Sequence, residues 1–90
     1  MFRVWFKIYK ENHLIKDTIV ESNDYDISRT KKVFDALENA CHEFDLSIPI
    51  WLNLNVNDFK RHSRTRFNKD NFIEEIDFDY LEMQVIEEEY

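Results

Sequence analysis

The chain has 90 residues, a formal net charge of −7 and no glycine, where average usage is about 7% Gly. Phosphate-cradling loops, dinucleotide fingerprints and nucleophile elbows use glycine for close backbone approach or a sharp turn, so those devices are excluded. The acidic balance disfavours unspecific binding to nucleic acid or anionic lipid, and leaves room for a local basic patch.

Ninety residues make a single domain over residues 1–90, and a content of 43% hydrophobic and 16% aromatic residues predicts a packed core. The lone cysteine, Cys41, cannot form an internal disulfide and fits a reducing compartment. No apolar run has transmembrane length, and Met1–Lys7 carries charges inside its apolar stretch, unlike a signal peptide. A cytoplasmic protein with no membrane association is expected.

Residues 2–9 alternate, with Phe2, Val4, Phe6 and Ile8 on one face and Arg3, Trp5, Lys7 and Tyr9 on the other. This is the pattern of a strand. The polar stretch Lys10–His13 can turn the chain, and Asn12 is the best residue there for a left-handed conformation. A second strand over 14–21, less cleanly sorted, completes a hairpin and suits a sheet edge. A helix over about 28–45 follows, capped by Asp26 or Ser28, with Val33, Phe34, Leu37, Ala40, Cys41 and Phe44 as one apolar stripe.

Residues 47–52 read as extended, because Pro49 disfavours helix at Ile48. Asn55 or Asn57 can cap a short helix ending near His62, and 63–71 reads as loop. From Ile76 to Ile86 the alternation changes phase: Ile76, Phe78 and Tyr80 share one parity, Leu81, Met83 and Val85 the other. A long strand with a bulge near Tyr80–Leu81 is predicted, or else two shorter strands. The expected fold class is α+β: an N-terminal β-hairpin, one long helix along an antiparallel sheet of three to four strands, and a C-terminal strand with a bulge.

Charge is segregated. Lys60, Arg61, Arg64, Arg66 and Lys69 cluster in 60–69, whereas 72–90 carries Glu74, Glu75, Asp77, Asp79, Glu82 and Glu87–Glu89 and no base. Arg3 and Lys7 facing Asp77, Asp79 and Glu82 across neighbouring strands would stabilise the sheet, which favours the last strand beside the first in the order 2-1-3.

The stretch Lys60-Arg61-His62-Ser63-Arg64-Thr65-Arg66-Phe67 is the leading candidate site. Arg and Lys can bind phosphates, the Ser63 and Thr65 hydroxyls can add hydrogen bonds, and Phe67 can stack on a base. The simpler reading is that Arg61, Arg64 and Arg66 pair with Glu74, Glu75, Asp77 or the Glu87–Glu89 tail. Glu38, His42 and Asp45 share one helix face at i, i+4 and i+7, a spacing open to a divalent metal but expected of a solvated face. Asp77 and Asp79 likewise read better as an outward-facing strand surface than as paired catalytic carboxylates. His13, in a turn, and His62, among bases, have no catalytic partner, and Cys41 reads as a small buried hydrophobe. Trp5, Tyr9 and Trp51 are candidate binding residues. If Phe2 to Ile8 face the helix, Trp5 and Tyr9 face away. Either the segment 48–59 covers them, or an aromatic interaction surface remains.

The strings Phe59–Phe67 and Asp70–Glu82, with Ile15-Lys16-Asp17-Thr18 and Pro49-Ile50-Trp51-Leu52, are similar to a group of short uncharacterised proteins of anaerobic Gram-positive bacteria. The resemblance implies a bacterial, cytoplasmic protein and transfers no functional residue. The sequence thus points to a small non-enzymatic module that binds a protein partner or itself, with no cofactor and no metal. A nucleic-acid-associated role through 60–69, or an acidic strand imitating DNA, is the alternative.

Overall fold

The alternating N-terminus folds as β1 (Phe2–Lys10), and β2 (His13–Ser22) returns antiparallel beside it. The computed structural model describes residues 1–88. Two residues join the strands, and both Glu11 (φ 52°) and Asn12 (φ 66°) are left-handed. A two-residue hairpin loop takes that geometry because it matches the strand twist. Asn12 was foreseeable. Glu11 is tethered from outside, its N–H donating to Asp79 Oδ2 at 2.8 Å while the Asp79 N–H donates to the Tyr9 carbonyl.

After β2 come α1 (Arg29–Glu43), α2 (Asn53–His62), β3 (Arg64–Phe67) and β4 (Tyr80–Glu88). The four strands form one antiparallel sheet in the order β2-β1-β4-β3. The last strand lies beside the first, as expected, but of the three acids foreseen opposite Arg3 and Lys7 only Glu82 is on it, facing Lys7, while Arg3 faces Glu87. β3, expected as loop, occupies the far edge. Four residues are a weak pattern, but Thr65 and Phe67 point into the core and Arg64 and Arg66 away from it.

Three further expectations are corrected. First, the short second helix is present as expected, but it shares the covering of the sheet with α1 instead of leaving it to one long helix, and both lie on the face of Phe2, Val4, Phe6 and Ile8. Secondly, β4 starts at Tyr80, and its pairing with β1 runs unbroken from Tyr9↔Tyr80 to Val4↔Val85. The adjacent apolar pair Tyr80–Leu81 therefore serves the two faces of a regular strand. The register instead shifts between Arg3 and Val4, opposite Val85–Glu87. Ile76 and Phe78 precede the strand, and Phe78 packs edge-on against Phe72 at 6.0 Å. Thirdly, the buried stripe of α1 is Val33, Ala36, Leu37, Ala40 and Cys41, while Phe34 stays 47% exposed on its flank.

Helix ends follow local chemistry. Ser28 caps α1 by accepting from the Lys31 N–H at 3.2 Å. The helix closes when the N–H groups of Asp45 (φ 58°) and Leu46 return to the carbonyls of His42 and Cys41. In a chain without glycine an aspartate takes the left-handed position. α2 begins at Asn53, earlier than foreseen. Neither Asn55 nor Asn57 is its cap residue. Asn55 acts from inside the first turn, accepting from the Leu52 N–H at 3.0 Å.

Candidate functional site

The helix-free sheet face carries Trp5 and Tyr9, and its register places opposite charges side by side. One row runs Asp17–Lys7–Glu82–Arg66 across all four strands, another Glu21–Arg3–Glu87. Lys7 Nζ lies 2.8 Å from Glu82 Oε2 and donates to Gln84 Oε1 at 3.2 Å. Arg66 Nε reaches Glu82 Oε1 at 3.1 Å. Burial alone would push the Glu82 carboxyl up, but hydrogen bonds and charge from Lys7 and Arg66 outweigh it and hold the group below its ordinary value.

The aromatic residues of this face are engaged in the same lattice. Lys7 Nζ sits 3.9 Å above the Trp5 ring, whose Nε1 donates to Asp17 Oδ2 at 2.9 Å. Tyr9 stacks on Tyr80 at 5.1 Å, and Arg66 lies 4.6 Å from the centre of the Tyr80 ring. Among the described residues no second layer covers this face. Its side chains cover one another, so that Lys7 is 7% and Glu82 5% exposed. The two rows hold four acids and three bases, which leaves no excess positive charge in them for phosphates.

Trp51 is not part of that surface. It lies in the helical layer, edge-on to Phe34 (5.6 Å), Phe59 (5.6 Å) and Phe67 (5.2 Å). The segment 48–59 therefore packs against the core face, leaving Trp5 and Tyr9 on the other side of the sheet. Asn55 and Asn71 fix this segment. Asn55 accepts from Leu52 N–H and Asn71 Nδ2, and donates to Thr65 Oγ1 and the Arg66 carbonyl. All four of its hydrogen-bonding positions are used. Asn71 donates also to the Ile50 carbonyl, while the Ile50 N–H returns to the Asn71 carbonyl. In the sequence Asn55 reads as a helix-cap candidate and Asn71 as the end of a loop, and nothing sets either apart as a link between elements.

Between α1 and α2 runs a groove of about 350 Å³, lined by Arg29, Thr30, Val33, Phe34, Trp51, Val56, Phe59 and Lys60. Phe34 is 47% and Val56 37% exposed along it. Arg29 is held by Glu88 at 3.0 Å, by the Ser63 hydroxyl at 3.2 Å and over the Phe59 ring. Just outside, Ile48, Ile50 and Leu52 are exposed as well, because the extended segment turns Pro49 and Trp51 inward.

The basic segment is divided between elements. Lys60 and Arg61 lie on the last turn of α2, Arg64 and Arg66 on β3. Arg66 does pair with an acid, Glu82, and not with the acids expected for it. Glu87 pairs with Arg3 and Glu88 with Arg29, while Glu89 lies outside the described residues. Lys60, Arg61 and Arg64 are exposed and make no ion pair among the described residues. Phe67, foreseen as a stacking residue, is fully buried. A second cleft of about 390 Å³ at the β3 edge brings Arg64 and Arg66 together with Asp58, His62, Thr65 and Glu82. Its acids offset its bases.

Glu38, His42 and Asp45 are exposed on α1 and the turn after it. No group of three or more His, Cys, Asp or Glu side chains among the described residues is placed to hold a metal ion. Asp77 and Asp79 lie ahead of β4 rather than on it. Burial pushes the Cys41 thiol up to about 11, far from a nucleophile's range. Among family models, curated proteins and solved structures, none matches this chain.

Proposed function

We propose that the chain is a bacterial, cytoplasmic protein-interaction module, without catalysis of its own, that docks another protein through the groove between α1 and α2. One observation carries this reading: Phe34 and Val56 stay exposed over a floor of Trp51 and Phe59 in an otherwise ordered core layer. Large apolar side chains left open beside a fixed aromatic are what an interface core uses. Self-association through the helix-free face is less well supported, because that face is internally neutralised. The outer edge of β2 is guarded by Lys16, whose partner Ile8 faces the core.

The test compares the wild-type chain with Phe34→Glu plus Val56→Glu as bait in a lysate of the encoding organism. A partner held by the wild type and lost by the double variant is expected, with the melting temperature of the bait checked in parallel. Equal capture by both baits overturns the groove as the docking site.

A nucleic-acid role is the second reading, favoured by the exposed Lys60, Arg61 and Arg64. It predicts oligonucleotide binding that weakens by about 0.7–0.9 log units per decade of salt for each phosphate neutralised. No binding at low salt removes it. The imitation of DNA by the acidic strand is disfavoured, since Glu82, Glu87 and Glu88 are engaged by Lys7, Arg3 and Arg29.

A further inference from the structure

On the reading that the groove docks another protein, we infer that its occupant is an amphipathic helix carrying aliphatic anchors and acidic residues beside them. The walls decide the shape of the occupant. Val33 and Phe34 come from α1, Val56 and Phe59 from α2, and Trp51 forms the floor. Along the apolar stretch of the trough, Val33, Phe34, Val56 and Phe59 bond their backbone groups within their own helices and caps, so that stretch offers no ladder to an extended peptide. Affinity has to come from side chains inserted from one face, which a helix supplies at i, i+3 or i+4, and i+7.

Charge decides its flanks. The protein has a net charge of −7, yet among the described residues no acid lines this groove and two bases do. Arg29 is engaged by Glu88 and Ser63. Lys60 is exposed, makes no ion pair among the described residues, and stands at the rim of the α2 wall. A carboxylate on the incoming helix would meet Lys60, whereas a basic flank would meet like charge. Lys60 therefore favours an acidic over a basic partner at this rim.

The trough is also preformed. Trp51 is held edge-on by three aromatic rings, and α2 is tied to β3 by Asn55. Binding to walls that are already in place costs little reordering.

The experiment titrates the full isotope-labelled chain with three synthetic peptides of about eighteen residues, roughly five helical turns. One has leucines at helical spacing flanked by Glu, the second has the same leucines flanked by Lys, and the third scrambles the leucine spacing of the first. The Glu-flanked peptide should give saturable shifts at Phe34, Val56 and the Trp51 indole N–H, and bind at least about threefold tighter than the Lys-flanked one at low salt. Lys60→Glu, on an exposed position, should reverse that order without unfolding the chain. Equal binding of the scrambled peptide, preference for Lys flanks, or shifts confined to the helix-free face overturns the inference. So do groove shifts that appear on raising protein concentration alone, which assign the trough to a second copy. Shifts produced only by dodecanoate, an apolar chain with an anionic head, overturn it in favour of a small amphiphile. Loss of a cellular partner in the Phe34→Glu, Val56→Glu variant with no response to any peptide leaves docking intact and rejects only the helix.

Discussion

Lys7 Nζ lies 2.8 Å from Glu82 Oε2 at the centre of a sheet face that no helix covers, and both residues are less than a tenth exposed. The pair is buried among Trp5, Gln84 and Arg66. Removing Glu82 leaves the Lys7 ammonium in that setting with no ion pair among the described residues, whereas removing Lys7 leaves Glu82 with Arg66. Glu82→Leu alone should cost about 3 kcal/mol in urea unfolding. The double change Lys7→Met, Glu82→Leu should recover most of that loss, because no buried charge is left over. A single variant no worse than the double would show that the pair is solvated in solution.

The same carboxylate makes stability depend on pH. Glu82 has a lowered value in the folded chain, so it binds its proton more weakly there than when unfolded. Its contribution is fully present above the ordinary glutamate value of about 4.3 and is lost as pH falls through the lower native value. Melting temperatures from pH 7 down to pH 3 should therefore fall more steeply for the wild type than for Glu82→Gln, which has no proton to take up. Parallel curves would remove Glu82 as a source of acid sensitivity.

Asn55 should be the costliest polar residue of the helical layer to truncate. Asn55→Ala leaves the Leu52 N–H, the Arg66 carbonyl and an Asn71 amide proton without this partner, and should destabilise by about 3 kcal/mol. Because it also frees the start of α2, amide exchange should quicken across 50–56 before it does in β1. Uniform quickening would mean that α2 and the sheet open together.

The missing glycines leave stability to be gained. Asp45 is left-handed at φ 58° and places a negative charge at the negative end of α1. Asp45→Gly relieves both, and should stabilise by about 1 kcal/mol, or raise the melting temperature by about 4 °C. A fall would show that the Asp45 side chain makes a contact that outweighs its backbone strain.

The basic segment can be split by salt. Arg66→Ala removes an exposed partner of Glu82 and should cost at most about 1 kcal/mol at low salt and almost nothing at 1 M. Arg64→Ala, with no ion pair among the described residues, should leave stability unchanged at either salt. Loss of oligonucleotide binding in Arg64→Ala at low salt would move the preference to the nucleic-acid reading.

Local chemistry alone determined much of this protein. Period-two alternation placed β1 and β2, the helical stripe and Ser28 placed α1, and the opposed charges of Arg3, Lys7 and Glu82 put the last strand beside the first. Each of these signals is carried by residues close in sequence or by a charge match that only one pairing satisfies. The tertiary structure decided the rest. Arg64–Phe67 becomes a strand only because β4 lends it a partner, and Phe34 leaves the core because α2 and Trp51 occupy the space beside it. Trp51 separates from Trp5 and Tyr9 because two helices share one face of the sheet. Those outcomes depend on which surfaces compete for the same volume, and periodicity along a chain does not contain that information.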